Sequence, residues 1–435
     1  MNKASAITTA LTALLTLNLA CDKSSDKEIR VGFIQAQTGP YAPFGEGGLF
    51  GAEAAIEDIN KQGGVMVGNT RMLLKLVAVD DESDPAKTAS LAEKLISSEK
   101  VRFIVSGDEP PVMHGGVSQV TDQHKVPYIT SVGIYEPWVT QRLESPTKWQ
   151  FTWATGSFAV STPAERGDFR AVPGYTVMDT FAKMLEICGT QTNRKLGLLA
   201  SDDPDGKESY SSMGAALQNL GYTVVGFDRQ LGLLPMGTSD FSPVIQAWKE
   251  AGVEILMGNC PGPFFAKAWQ QAQAQGLKPK MATISRAALF HSDIAALGGE
   301  LPLGLGTEVW WDPSLKNAPG INGTTPQSLA ERWSKAKSKP VSPSIGTGYA
   351  SVQVLADAIQ RAGSLEPEKV NAALGKTDLP TIRHRVKFDE DHFSRGPIAF
   401  GQWMKTDKPQ KWELKVVFSN HEFWPANGSP VFPLK

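Results

Sequence analysis

The chain has 435 residues, too many for one ordinary hydrophobic core, so two lobes are expected. Lys and Arg number 43 against 45 Asp and Glu, a net charge of -2, and the basic residues are scattered; this excludes the electrostatic footprint of a nucleic-acid binder.

Residues 1–20 read as an export signal: Lys3 supplies one positive charge, and an uncharged stretch rich in Ala, Leu and Thr follows it. Thr, Ser and Asn interrupt that stretch too often for the ~20 apolar residues of a membrane span. It ends at Leu17-Asn18-Leu19-Ala20-Cys21, which resembles the bacterial lipobox, where the cysteine is lipidated and becomes the new N-terminus. Asn18 departs from the pattern; the alternative is an ordinary cut near Ala20 with Cys21 incidental. Residues 21–27 make a short polar tether.

From Glu28 onward, β-branched or aliphatic runs alternate with amphipathic stretches, the mark of a parallel sheet with covering helices. A first set comprises a strand at 29–36, a helix at 51–62 stopped by Gly63-Gly64, a strand at 73–79 and a helix at 85–98 capped by Asp84. A strand at 101–105, a helix at 112–124 and a strand at 126–130 complete it. After an irregular stretch at 161–175 comes a second set: helix 176–187, strand 195–200, helix 209–220, strand 223–228, helix 241–251, strand 254–257 and helix 263–275. A further amphipathic helix covers 350–362, and late strands or ribbons follow Val386. The fold class expected is α/β, with two doubly wound parallel-sheet lobes.

Ligands of open parallel sheets sit beyond the carboxyl ends of the strands. Cys260 lies at such an end, whereas Cys188 ends a helix and belongs at the opposite edge of its sheet, so two free, buried thiols are expected.

The usual marks of catalysis are missing. In Gly45-Glu46-Gly47-Gly48-Leu49-Phe50-Gly51, Phe50 stands where a dinucleotide fingerprint needs its third glycine. There is no Walker sequence, no His-Glu-x-x-His and no Gly-x-Ser-x-Gly elbow, and the six histidines show no metal-ligand spacing. Asp80-Asp81-Glu82-Ser83-Asp84 lacks the interior Gly and terminal Glu of a calcium loop and reads as a solvated acidic turn with a helix cap. The expectation is a non-enzyme without cofactor or metal.

The segment Ile29-Arg30-Val31-Gly32-Phe33-Ile34-Gln35-Ala36-Gln37-Thr38-Gly39-Pro40-Tyr41-Ala42 resembles the opening of the type I periplasmic solute-binding proteins of the branched-chain amino acid class of ABC importers. So do the stretches 51–60, Gly63-Gly64-Val65, 79–85, 238–242 and 358–363, and the likeness spans essentially the whole mature chain. It implies two lobes joined by a three-crossover hinge, closing on a ligand like a clamp. Lobe 1 is placed at 28–156 and 307–379, lobe 2 at 157–306 and 380–435.

The resemblance makes Gln37, Thr38, Tyr41 and Phe44 ligand-facing, with helix-start amides suited to an anion and the two rings able to cover an apolar group; core or interlobe packing is the alternative for both. The hydroxyl loop that grips an α-carboxylate in the family is replaced by Ser106-Gly107-Asp108-Glu109-Pro110-Pro111, placing Asp108 and Glu109 at the site. His114, Gly133 and Tyr135 follow on the same lobe. Phe158 and Ser285 occupy the positions where amino-acid binders of the family carry ammonium-binding carboxylates, so no ammonium clamp is evident. Cys260 and Pro261 stand at a strand end, and Arg286 is the candidate for holding a ligand carboxylate through a paired hydrogen bond, or else a surface charge. Trp153, Trp310 and Trp311 fall near the crossovers; core packing is the commoner role for each, and Trp311 is kept as a ligand contact.

The expected function is capture of a small amino-acid-like, carboxylated or amidic solute, aromatic ones included, for delivery to the membrane permease and ATPase of an importer. A ligand-sensing receptor module of the same fold is the alternative. The protein is expected outside the cytoplasm, as a monomer tethered to the membrane through Cys21.

Overall fold

The computed structural model describes residues 28–160 and 174–434. The export signal, the tether with Cys21, and most of the 161–175 stretch with Arg166, Asp168 and Arg170 lie outside them.

The chain begins with β1 (Glu28–Ile34), α1 (Ala42–Lys61), β2 (Val65–Val67), β3 (Thr70–Val79), α2 (Pro85–Ser97), β4 (Phe103–Glu109), α3 (His114–His124), β5 (Tyr128–Val132), α4 (Tyr135–Glu144) and β6 (Thr152–Gly156). There follow α5 (Val177–Cys188), β7 (Lys195–Ser201), α6 (Pro204–Asn219), β8 (Thr223–Val224), β9 (Leu233–Leu234), α7 (Ser242–Ala251), β10 (Ile255–Asn259), α8 (Gly262–Ala274), β11 (Met281–Ser285), α9 (His291–Leu297) and β12 (Gly306–Val309). The last part holds α10 (Pro326–Lys337), α11 (Ser344–Ala362), α12 (Pro367–Leu374), β13 (Asp378–Pro380), β14 (Arg385–Lys387), β15 (Phe393–Arg395), β16 (Ala399–Lys405) and β17 (Trp412–Ser419).

One sheet has the order β15-β6-β5-β4-β1-β3-β2, parallel except for the β2–β3 edge pair. The other runs β17-β16-β12-β11-β10-β7-β8, with β16 and β17 antiparallel at its edge. The interior strands β4, β5, β6, β10 and β11 are buried along their whole length, because helices cover both faces; hence their continuous runs without polar alternation. In each sheet the strand order reverses around one strand, β1 in the first and β7 in the second, which opens a crevice at the carboxyl ends.

Among the described residues the chain passes between the sheets after Gly156, after Val309 and after Arg395. β15 pairs with β6, so 380–395 runs with the first sheet and the passage expected at 379/380 comes later in the chain. Strands of three residues such as β13, β14 and β15 carry too little pattern to be assigned from sequence. At the second passage, successive side chains of an extended chain point to opposite sides: Trp310 enters the second sheet's core and Trp311 the first's.

Helix α1 begins at Ala42, nine residues before the expected start at Gly51. Its glycines are there for close approach. A Cβ on Gly51 would fall 2.1 Å from the Ile345 carbonyl oxygen, and one on Gly348 would fall 1.9 Å from that of Gly48. The α1–α11 seam thus overrides the poor helix propensity of glycine. Asp84 caps α2, its carboxylate accepting from the Ala86 amide at 2.9 Å, as expected. Cys188 and Cys260 are free, buried thiols in separate cores.

Candidate functional site

The loop after β1 is clasped by the acidic turn after β3. The Asp80 carboxylate accepts from the amides of Gln37 (2.8 Å) and Thr38 (3.3 Å) and from the Thr38 hydroxyl (2.7 Å). The Ser83 hydroxyl accepts from the Tyr41 amide at 3.0 Å and donates to the Thr38 carbonyl at 2.7 Å. Amides expected to meet a ligand anion are therefore already satisfied by the protein's own groups. Burial pushes Asp80 upward, but these donors outweigh it and hold the carboxyl below its usual range.

The turn is not simply solvated either. Asp81 is buried and faces the buried Glu109, whose Oε1 accepts from the Ala36 amide at 2.7 Å. Burial drives both carboxyls up, Asp81 to about 6 and Glu109 well above the ordinary range, so the pair shares a proton. Acids raised on folding stabilise the native state while protonated, and that stabilisation is lost as pH rises through about 6. Each proton so bound contributes a slope of about 1.4 kcal/mol per pH unit. Glu109→Gln is expected to flatten the fall in stability across this range, read by denaturant melts over a pH series. An unchanged slope contradicts the shared proton.

Asp108 points away from this pair, accepting from the Ser131 hydroxyl and lying 3.8 Å from Arg383. His114 is an interior residue rather than a ligand contact: it is fully buried, with Nδ1 3.1 Å from the Tyr128 hydroxyl and Nε2 3.3 Å from the Glu109 carbonyl. Burial lowers it to about 4, so the ring is neutral.

Between the lobes lies a cavity of about 20 Å³, on the scale of a single water. Tyr41, Pro110, Pro111 and Val112 line it from the first lobe, Asp203, Pro204, Asp205 and Arg286 from the second. Arg286 faces this space as the sequence implies, but its fork is occupied. Nη1 and Nη2 lie 3.2 and 2.9 Å from the two Asp203 oxygens, Nη1 also 3.2 Å from Asp205, and Nη2 2.7 Å from the Ser201 hydroxyl.

Asp203 also caps α6, accepting from the Gly206 amide at 3.0 Å. Burial pushes Asp203 up, yet Arg286 and the cap hold it below its usual range; burial dominates at Asp205 and takes it to about 6. Two carboxylates thus stand on the second lobe's cleft face, where the sequence reading found no acid. The missed signal was Asp203-Pro204, an N-cap followed by a proline at the first helical turn, which starts α6 at Pro204 instead of Ser209.

The other expected contacts turn inward. Ser285 donates to Glu308 at 2.7 Å, a buried acid that sequence reasoning passed over. Cys260, followed by Pro261 as N-cap of α8, lies in the core beneath α7, α8 and α9; burial raises its thiol to about 12. Tyr135 and Phe158 pack with Phe393, and the Arg395 guanidinium lies 4.6 Å from the Phe158 ring. Trp311 donates to the Ile382 carbonyl at 3.0 Å, and Trp153 to Asn371 at 2.7 Å, both from buried positions. Of the aromatics expected at the ligand, Tyr41 lines the cavity.

Phe44 crosses the cleft instead. It is 5% exposed and packs edge-on against Phe290, ring centres 4.6 Å apart, and near Trp310 at 6.0 Å, both of the second lobe's core. Gly133 faces the same indole: a Cβ there would lie 4.0 Å from Trp310. Near the first passage, the Glu136 carboxylate accepts from the amides of Ala159 and Val160 at 2.9 and 3.2 Å.

The sequence profile of the periplasmic binding protein family matches residues 28–408. A leucine-, isoleucine-, valine-, threonine- and alanine-binding protein of Pseudomonas aeruginosa is 24% identical over 375 residues, covering 83% of this chain and 86% of that protein. A solved leucine binding protein from Thermotoga maritima superposes with a TM-score of 0.68 at 18% identity, covering 90% of this chain and 99% of that one. The solute binding protein of an ABC transporter from Rhodopseudomonas palustris HaA2, in complex with p-hydroxybenzoic acid, gives a TM-score of 0.67 at 19% identity, covering 91% and 98%.

Proposed function

The chain belongs to the periplasmic binding protein family, and on that premise we propose that it captures a small amino-acid-like, carboxylated or amidic solute between its lobes and hands it, chemically unchanged, to the permease and ATPase of an importer. Periplasmic solute binding for an ABC transporter is the family's work; the ligand class, the delivery step and a lipid tether through Cys21 are the reading proposed.

The observation that carries it is the two-sided wall. Tyr41 and Pro110 to Val112 offer apolar surface from one lobe, while Asp203, Asp205 and Arg286 offer charge from the other. With Asp203 held below its usual range and Asp205 near 6, the second wall is net negative at neutral pH, which favours ammonium or amide N–H donors. The named ligands of the relatives, leucine, isoleucine, valine, threonine and alanine in one and p-hydroxybenzoic acid in another, support the same size class.

The test is a thermal-shift screen of amino acids, amides and aromatic acids, followed by mass spectrometry of whatever is released on denaturation. A true ligand at about 100 times its Kd adds about 2.7 kcal/mol to the folded state and raises the melting temperature. A panel with no shifting compound removes the ligand class. Recovery of a converted compound removes the binding reading altogether.

A further inference from the structure

The turn at 381–384 touches all three passages between the lobes. The Ile382 carbonyl accepts from Trp311 of the second passage at 3.0 Å, and the Ile382 amide donates to Gln353 of α11 at 3.1 Å. The Arg383 side chain, 2% exposed, donates to Thr155 at 3.2 Å, one residue before the first passage. Its guanidinium also packs on Gly396 of the third passage: a Cβ there would lie 3.2 Å from Nη2, and the Gly396 amide donates to the Gly156 carbonyl at 2.6 Å. From this junction the same guanidinium reaches forward, to Ser131 at 2.8 Å and Asp108 at 3.8 Å. Asp108 lies two residues before Pro110, which lines the cleft.

We propose that Arg383 is a positioning residue that couples the three passages to the cleft lip: the Arg383–Asp108 pair holds the end of β4, and with it Pro110 to Val112, in register with the closed hinge.

Stability is a poor reason for this pair to exist. Arg383 Nε and Asp108 Oδ2 are buried without a hydrogen-bond partner, and an ion pair with such gaps is commonly no better than apolar residues of the same volume. Its value must lie in fixing one arrangement of neighbouring segments, and here those segments are the passages and the strand leading into the ligand site. The Thr381 hydroxyl and amide both donate to the His384 carbonyl, at 2.6 and 3.0 Å, so the turn presenting Arg383 is itself braced.

The inference goes beyond ligand binding and is tested with no ligand added, so its failure leaves the proposed function untouched. Spin labels are placed at Ser90→Cys on the first lobe and Lys207→Cys on the second, in the full chain carrying Cys21→Ser. Cys188 and Cys260 are buried and stay unlabelled. The interlobe distance distribution is read by double electron–electron resonance, with circular dichroism melts alongside. The double substitution Arg383→Met with Asp108→Leu is expected to keep the melting temperature near the parent's while shifting the distribution to longer, broader distances. Arg383→Lys is expected to restore the parent distribution in part. Asp108→Asn alone, which keeps the Ser131 contact, should shift it in the same direction and decides the matter if the double variant does not fold. A folded variant of either kind with the parent distribution overturns the proposal, as does a distribution that changes only in proportion to lost stability.

Discussion

Arg286→Met is expected to lower the melting temperature of the ligand-free protein sharply. A guanidinium kept only for a ligand could be removed with little effect on folding, but this one is ion-paired with both Asp203 and Asp205 from a site 6% exposed. Removing one partner of a buried ion pair leaves the other charge uncompensated, at a cost of about 3–5 kcal/mol. Methionine also inherits the left-handed backbone at this position, φ +66°, without the hydrogen bonds that over-determine it. Arg286→Lys should recover part of the loss, since a point charge cannot engage both Asp203 oxygens as the fork does. Calorimetry of the ligand-free variants checks this. A melting temperature unmoved by Arg286→Met would return the residue to a purely ligand-holding role.

Phe44→Ala should act on the other axis, weakening closure far more than folding. Truncating a buried phenylalanine costs about 3–5 kcal/mol when its surroundings cannot collapse. Here the ring is fixed to one lobe and its partners Phe290 and Trp310 to the other, so the loss falls on the contact between lobes. The expected outcome is a larger radius of gyration by small-angle scattering and at least a tenfold weaker affinity for any ligand found in the screen, about 1.4 kcal/mol or more. The melting temperature of each lobe should move little. A variant with the parent's scattering profile would mean that the ring is core filling and no part of the latch.

Much of the fold was legible because its signals are local. The buried runs around Val31, Ile104 and Ile255 and the amphipathic stretch ending at Ala362 report their own structure through periodicity and length. Asp84-Pro85 announced its helix in the same way. The run from Gly45 to Gly51 misled because its glycines answer to neighbours outside the helix, Gly45 to the Ala36 carbonyl, Gly48 to Gln35 and Gly51 to Ile345 of α11, the last far along the chain. Arg286 could be placed at the cleft edge by the family resemblance, beside Ser285, but nothing near it in sequence tells that Asp203 and Asp205 fill its fork. The hinge suffered most: β15 is three residues long, and its membership of the first sheet depends wholly on β6. Chemistry that rests on two distant segments meeting is written in neither one.

The α1–α11 seam has a consequence for biogenesis. The Tyr349 hydroxyl donates to Asp58 at 2.7 Å across a separation of 291 residues, and the whole second sheet up to β12 is encoded between the two. Bringing ends so far apart together costs about 5 kcal/mol in chain entropy before the seam yields anything. The amino-terminal half of a growing polypeptide therefore cannot complete its own hydrophobic interior. It must wait, apolar surface exposed, until nearly the last fifth of the message has been translated.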